Sequence, residues 1–252
     1  MDRACEQHGS YHWESRPGRG EEHMSDRESH ITPDLFAFMT DLAANNDREW
    51  FKANQSRYEE EVREPLRAFI RDLESPLEAI SPRVVADDRK SGGSLFRIHR
   101  DTRFSKDKSP YKTFAGVQFR HEAGKDAHAP GYYLHLDPGG VFVGAGCWRP
   151  AREALESIRD AIVEDPDRWT EARDAVVSAG FAFEGDSLKR PPRGYPPEHP
   201  QIEDLKRKDF IAVRHLSDES VFAADFVAAF ARMCSEAAPL MRFLTSAIGV
   251  RW

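Results

Sequence analysis

Along this chain the spacing of apolar residues changes period twice, and that change limits the possible fold more than any other feature. Near the start, Leu35, Phe36, Phe38, Met39 and Leu42, then Tyr58, Val62, Leu66, Phe69, Ile70, Leu73, Leu77 and Ile80, recur every three or four positions. That is the repeat of amphipathic helices. Between Leu95 and Cys147 the period falls to two. Phe96 and Ile98 alternate with Arg97 and His99, and Ala115, Val117 and Phe119 share one face of a second run. Tyr132, Leu134 and Leu136 oppose Tyr133 and His135, and a fourth run covers 141–147. Alternation of this kind marks strands with two unlike faces. After Pro150 the helical spacing returns, through Leu155, Ile158 and Ile162, then Trp169, Ala172 and Val176, and last over roughly 217–248. Helices, then strands, then helices predict an α+β fold, with a mainly antiparallel central sheet flanked by N-terminal and C-terminal helices.

Punctuation agrees with this division. Thr32-Pro33 predicts a helix start, Asp47 a second cap, and Asp165-Pro166 a third. Pro65, Pro76 and Pro239 are expected to divide their helical runs, and Pro138-Gly139-Gly140 to turn a hairpin. Residues 1–30 are polar, with His8, His12, His23 and His30 at no regular metal spacing, and are expected to form a disordered tail. Residues 31–252 then make a single α+β domain, for which 40 % hydrophobic and 11 % aromatic residues supply a core. Cys5, Cys147 and Cys234 are widely spaced and odd in number, which suits a reducing compartment. No apolar run reaches membrane-span length and no signal-peptide core is present. A soluble, cytoplasmic protein without a membrane partner is expected.

Charge supplies the candidate site. Arg97, Arg100, Arg103, Lys106, Lys108 and Lys112 place six cations in sixteen residues, opposed only by Asp101 and Asp107. The chain as a whole carries −7, so this is a basic island on an acidic protein. Like charges repel, and their concentration calls for an anion between them. The expected anion-binding residues are Arg97, Arg100, Arg103, Lys108, Tyr111 and Lys112, with Asp101 and Asp107 orienting the guanidinium forks. A second basic stretch adds Lys189 and Arg193 if it folds over the first. Arg–Asp pairs at such spacing also serve as plain loop braces. The leading expectation is a phosphorylated or carboxylated small-molecule ligand, with enzymatic activity left open. The alternatives are single-stranded nucleic acid, stacking on Phe104, Tyr111 and Tyr195, and an acidic protein partner. The oligomeric state is left open.

Other signals are weak. His99, His121 and His135, with Asp137, lie on or beside expected strands but lack close ligand spacing, so no metal is assigned. Gly144-Ala145-Gly146 sits late in a strand with no helix at the spacing of a dinucleotide fingerprint. Neither a nucleophilic-serine elbow nor a phosphate loop is present, and no cofactor is indicated.

Several separated motifs carry a resemblance. RDTRFSKDKSPYKT (100–113), GYYLHL (131–136), GAGCWRP (144–150) and LKRPPRGYPPEHP (188–200), with NNDREWF (45–51) and LKRKDF (205–210), resemble the bacterial domain-of-unknown-function 2461 family in order. The resemblance runs from about residue 32 to the C-terminus. It implies a single α+β domain and says little about activity. Its motif residues include Arg100, Asp101, Arg103, Phe104, Asp107, Lys108, Pro110, Tyr111 and Lys112, and also Lys189, Pro192, Gly194 and Tyr195.

Overall fold

Pro33 opens α1 (Pro33–Ala44) in the computed structural model, which describes residues 29–124 and 130–252. Proline suits that first turn because its missing N–H would be unbonded there anyway. Thr32 stands at the cap position, but its hydroxyl makes no capping bond. Asp47 does cap α2 (Arg48–Ala53), accepting from the N–H groups of Glu49 and Trp50 at 2.9 Å. Next come α3 (Gln55–Arg57), a wide π-helical turn (Tyr58–Arg63), α4 (Glu64–Asp72) and α5 (Glu74–Ile80). The π turn ends where Pro65 enters α4, so the ladder is already irregular where proline withholds its N–H. The expected tail, 1–30, lies outside the described residues except for Ser29 and His30. Ser29 Oγ donates to the Val221 carbonyl at 3.1 Å, and His30 Nε2 meets Asp72 at 2.8 Å.

The sheet comprises β1 (Ala115–Arg120), β2 (Gly131–Leu136), β3 (Phe142–Cys147), β4 (Ala182–Glu184) and β5 (Phe210–His215). Its order is β1-β2-β3-β5-β4, and every neighbouring pair is antiparallel. The fold is therefore α+β. Gly139, in the left-handed region at φ 72°, turns the β2–β3 hairpin.

Three expectations need correction. Leu95–Arg100 is not a continuous strand; it meets β1 and its own return segment through single bridges, Leu95 to Val117 and His99 to Tyr111. Between the bridges the return segment (112–116) carries two residues more than 96–98, so the pairing does not continue in register. The expected sheet ends at the fourth run; β4 and β5 lie in stretches assigned no element, because three and six residues beside basic, proline-rich segments carry little periodic signal. The final long helix is three: α9 (Asp218–Val221), α10 (Phe226–Glu236) and α11 (Ala238–Ala247), with Pro239 in the first turn of α11.

Helices cover one face of this sheet. α10 and α11 lie against β3, and α6 (Arg152–Glu164) and α7 (Pro166–Ser178) complete the layer beside α11 and β4. Val117, Phe119, Tyr132, Leu134, Val143 and Ala212 point into that core and are almost fully buried. Among the described residues no helix is long and apolar enough to cross a membrane.

One polar knot braces the core's far end. Asp204, on α8 (Ile202–Leu205), is 5 % exposed. It accepts from Trp169 Nε1 at 2.8 Å, Arg207 Nε at 2.9 Å and Arg173 at 3.1 Å. Removing it would leave the Arg207 guanidinium and a buried indole N–H without their acceptor, while Arg173 keeps Asp174 and Gln201. Asp204→Ala is therefore expected to cost about 3 kcal/mol, read as a lower urea midpoint at unchanged slope.

Candidate functional site

Among the described residues no helix lies over the second face of the sheet, and strand alternation dictates what it displays. Register aligns Gly116, His135, Phe142 and His215 in one row, and Gln118, Tyr133, Gly144 and Val213 in the next. Gly131, Gly146 and Ile211 continue it. Glycines leave the middle of this face without side chains, and rings rise around the gap. The result is a cleft of about 400 Å³, walled by Phe96, Phe114, Tyr133, His135, Phe142 and Trp148, with Lys112 at its rim. That volume and an apolar lining with few polar groups suit a small molecule.

Two glycines set the floor differently. Gly146 has φ 130°, and a Cβ there would lie 2.0 Å from the Phe210 carbonyl oxygen, so only glycine fits. A Cβ on Gly144 would meet only Tyr133 Cβ, at an ordinary 3.7 Å. Its bare surface is open space rather than a backbone requirement. Beyond Gly146 the chain turns at Arg149, a non-glycine residue at φ 47°. Buried Asp209 holds that turn, accepting from Arg149 N–H at 2.7 Å and Asp186 N–H at 2.9 Å. The turn sets Trp148, 45 % exposed, at the edge of the cleft.

The rings pack on one another. His135 stacks on Phe142 with centroids 4.6 Å apart and planes 13° apart, and lies 4.5 Å from Phe114. Its Nδ1 is 3.0 Å from Tyr133 Oη. Burial lowers the His135 pKa to about 4 and pushes the Tyr133 phenol well above its ordinary value. Lys112 Nζ donates to the Arg97 carbonyl at 2.6 Å and sits 5.4 Å from the Phe96 ring centroid. Burial first, and the Arg97 charge second, lower its pKa.

The basic island is distributed differently from its sequence. Arg100 pairs with Asp107, whose other oxygen accepts from Ser109 N–H and Oγ. Arg103 pairs with Asp101 at 2.6 Å and holds that carboxyl down to about 2. Lys108 donates to the Thr102 carbonyl at 2.9 Å. Tyr111 is buried, its ring stacked on Phe51 at 4.2 Å and its backbone clasped by Asn46. Arg97 is exposed and makes no ion pair among the described residues, and it adjoins Lys112. Lys189 and Arg193 are exposed beyond the opposite edge of the sheet, where Leu188 N–H donates to the Lys206 carbonyl and Tyr195 Oη to Asp160. With β1 and β4 at opposite edges, about 19 Å of sheet separates the two basic stretches. The structure thus brings Lys112 to the cleft with Arg97 near it but outside the lining, gathers Arg100, Asp101 and Asp107 beside it, and leaves Lys189 and Arg193 apart.

Among the described residues no group of His, Cys, Asp or Glu is placed to hold a metal. His121 Nε2 meets the Arg251 carbonyl at 2.6 Å, far from any partner histidine. Sequence reasoning missed Phe96, Phe114, Phe142, Trp148 and the glycine floor as a site. The available signal was Tyr133 and His135 on a strand's polar face, opposite a Gly-Ala-Gly strand.

The chain matches the family described as conserved hypothetical protein (DUF2461) over residues 34–243, and it belongs to that family. No curated protein and no solved structure matches it. The matched span includes every residue lining the cleft.

His135 makes acid stability a readout of this face. Between 6.5, the ordinary imidazole value, and about 4 the unfolded chain binds a proton that the folded chain refuses. The stability due to this group is complete above 6.5, falls as pH drops toward 4, and levels off below. The loss is expected to be on the order of 1–2 kcal/mol after allowing for residual solvent contact. His135→Phe, compared by denaturant unfolding across that window, should flatten the slope.

Proposed function

We propose that this protein binds a small molecule in which a flat, largely apolar ring system carries one anionic group, a carboxylate or a phosphate. The observation that carries this reading is the aromatic cleft with Lys112 in its lining and the Arg97 charge acting on Lys112 from outside it. Stacked rings accept a planar body by offset and edge contacts. The Lys112 ammonium has three N–H donors and spends one on the Arg97 carbonyl, leaving two for a guest. Its neighbour Arg97 repels it, and an anion between them would relieve both. This reading moves the anion from Arg100 and Arg103, which already hold carboxylates, to Arg97 and Lys112. A cytoplasmic setting fits the buried Cys234 thiol.

One feature favours a second occupant elsewhere. Phe104 is 96 % exposed on the loop that carries Arg103, Lys106 and Lys108, as in stacking platforms for single-stranded nucleic acid. Low-salt anisotropy with a fluorescent oligothymidine tests it: binding that weakens steeply with salt and is lost in Phe104→Ala supports it, and no binding retires it.

The cleft is tested with 2-naphthyl phosphate, 2-naphthoate and uncharged 2-naphthalenemethanol, followed by calorimetry and thermal shift. The two anions are expected to bind and raise the midpoint, with the alcohol about tenfold weaker. Lys112→Met should cost about tenfold for the anions and little for the alcohol. Gly144→Leu should fill the floor and abolish binding of all three while the fold survives, because a Cβ there meets no backbone. No binding by either anion, or full binding by Gly144→Leu, would overturn the proposal.

A further inference from the structure

We infer that His135 presents its Nε2–H to the molecule in the cleft, so that the flat body carries an uncharged hydrogen-bond acceptor, a ring carbonyl or ring nitrogen, facing that atom. This deepens the proposed function and rests on the cleft being a ligand site. Three contacts fix the imidazole: the stack on Phe142, the Phe114 ring, and the bond between Nδ1 and Tyr133 Oη. Tyr133 is itself wedged, since a Cβ on Gly116 would lie 2.6 Å from its Oη. Its hydroxyl has no other partner among the described residues, so the phenol's proton is used only if it donates to Nδ1. That leaves the ring proton on Nε2.

Nε2 has no partner among the described residues and is not sealed from solvent, and His135 lines the cleft. Among the described residues no carboxylate lines the cleft to favour an imidazolium. The Lys112 ammonium in the cleft lining opposes one. Burial acts in the same direction. A neutral imidazole fixed in this way makes a poor proton acceptor and a directional donor. Specificity follows because an acceptor lacking its donor, or a donor lacking its acceptor, is costly once the bound molecule excludes water.

The first test needs no ligand. In the full chain labelled with ¹⁵N-histidine, the resonances lost in His135→Phe are expected to show a protonated Nε2 and a bare Nδ1 from pH 7 down to pH 5. Tyr133→Phe should mix the tautomers. A proton on Nδ1, or an imidazolium at pH 6, overturns the inference. The second test compares anthraquinone-2-sulfonate with anthracene-2-sulfonate, which share outline and charge and differ by two ring carbonyls. The ratio of their affinities is expected to favour the quinone about tenfold more in the wild type than in His135→Phe. His135→Gln, which restores an N–H, should recover part of that preference. An unchanged ratio in His135→Phe sinks this inference alone. If neither dye binds the wild type, the ligand reading falls and this inference falls with it.

Discussion

A strand's side chains alternate between two faces, and the helices of the described residues cover one of them. The covered face carries Val117, Phe119, Tyr132, Leu134 and Val143, nearly inaccessible to water. Each such side chain contributes roughly 1.5–3 kcal/mol when fully buried. A slip of one residue in any strand would send that set to solvent and bring Tyr133, His135 or glycine into the core. The register that builds the core therefore also builds the cleft. Residues of the open face are free of packing duty, and several of them are glycine or stand half-buried against one another rather than against a helix.

Charge in this molecule follows local pairing more than density. Two arginines of the basic island close onto aspartates two and seven residues away, within the loop that carries them. Exposed pairs of this kind contribute little to stability, but they remove those guanidinium groups from the inventory of free cations. What remains is the juxtaposition of Arg97 and Lys112, which are fifteen positions apart in sequence and are joined by a backbone carbonyl. The second stretch behaves likewise: Arg207 is drawn inward to Asp204, and Lys206 to Glu203 at 2.7 Å.

Much of the fold was legible in the residues. Period-two alternation marked β1, β2 and β3, Asp47 and Asp165 cap the helices expected of them, and Pro138-Gly139-Gly140 turns the hairpin. β5 was not legible, although it lies between β3 and β4, because six residues after a basic run offer too few repeats to define a period. The site was legible only in fragments. Lys112 and Arg97 stood out by charge, while Phe96, Phe142 and Trp148 carried no signal of a site. Which face a ring joins depends on its cross-strand partner, and Trp148 is aimed by a left-handed turn at Arg149 that depends on Asp209, sixty residues away.

Taken alone, the amino-acid order determined the class of fold, the helix starts and the position of the cations along the chain, since periodicity, capping and charge act over a few neighbouring residues. Tertiary structure decided which cations are neutralised, which sheet face stays bare, and that glycines from three strands lie side by side beneath a ring of aromatics. Those outcomes depend on pairing between residues far apart in the chain. Register and long-range hydrogen bonds are energies of the assembled sheet, and no local pattern encodes them.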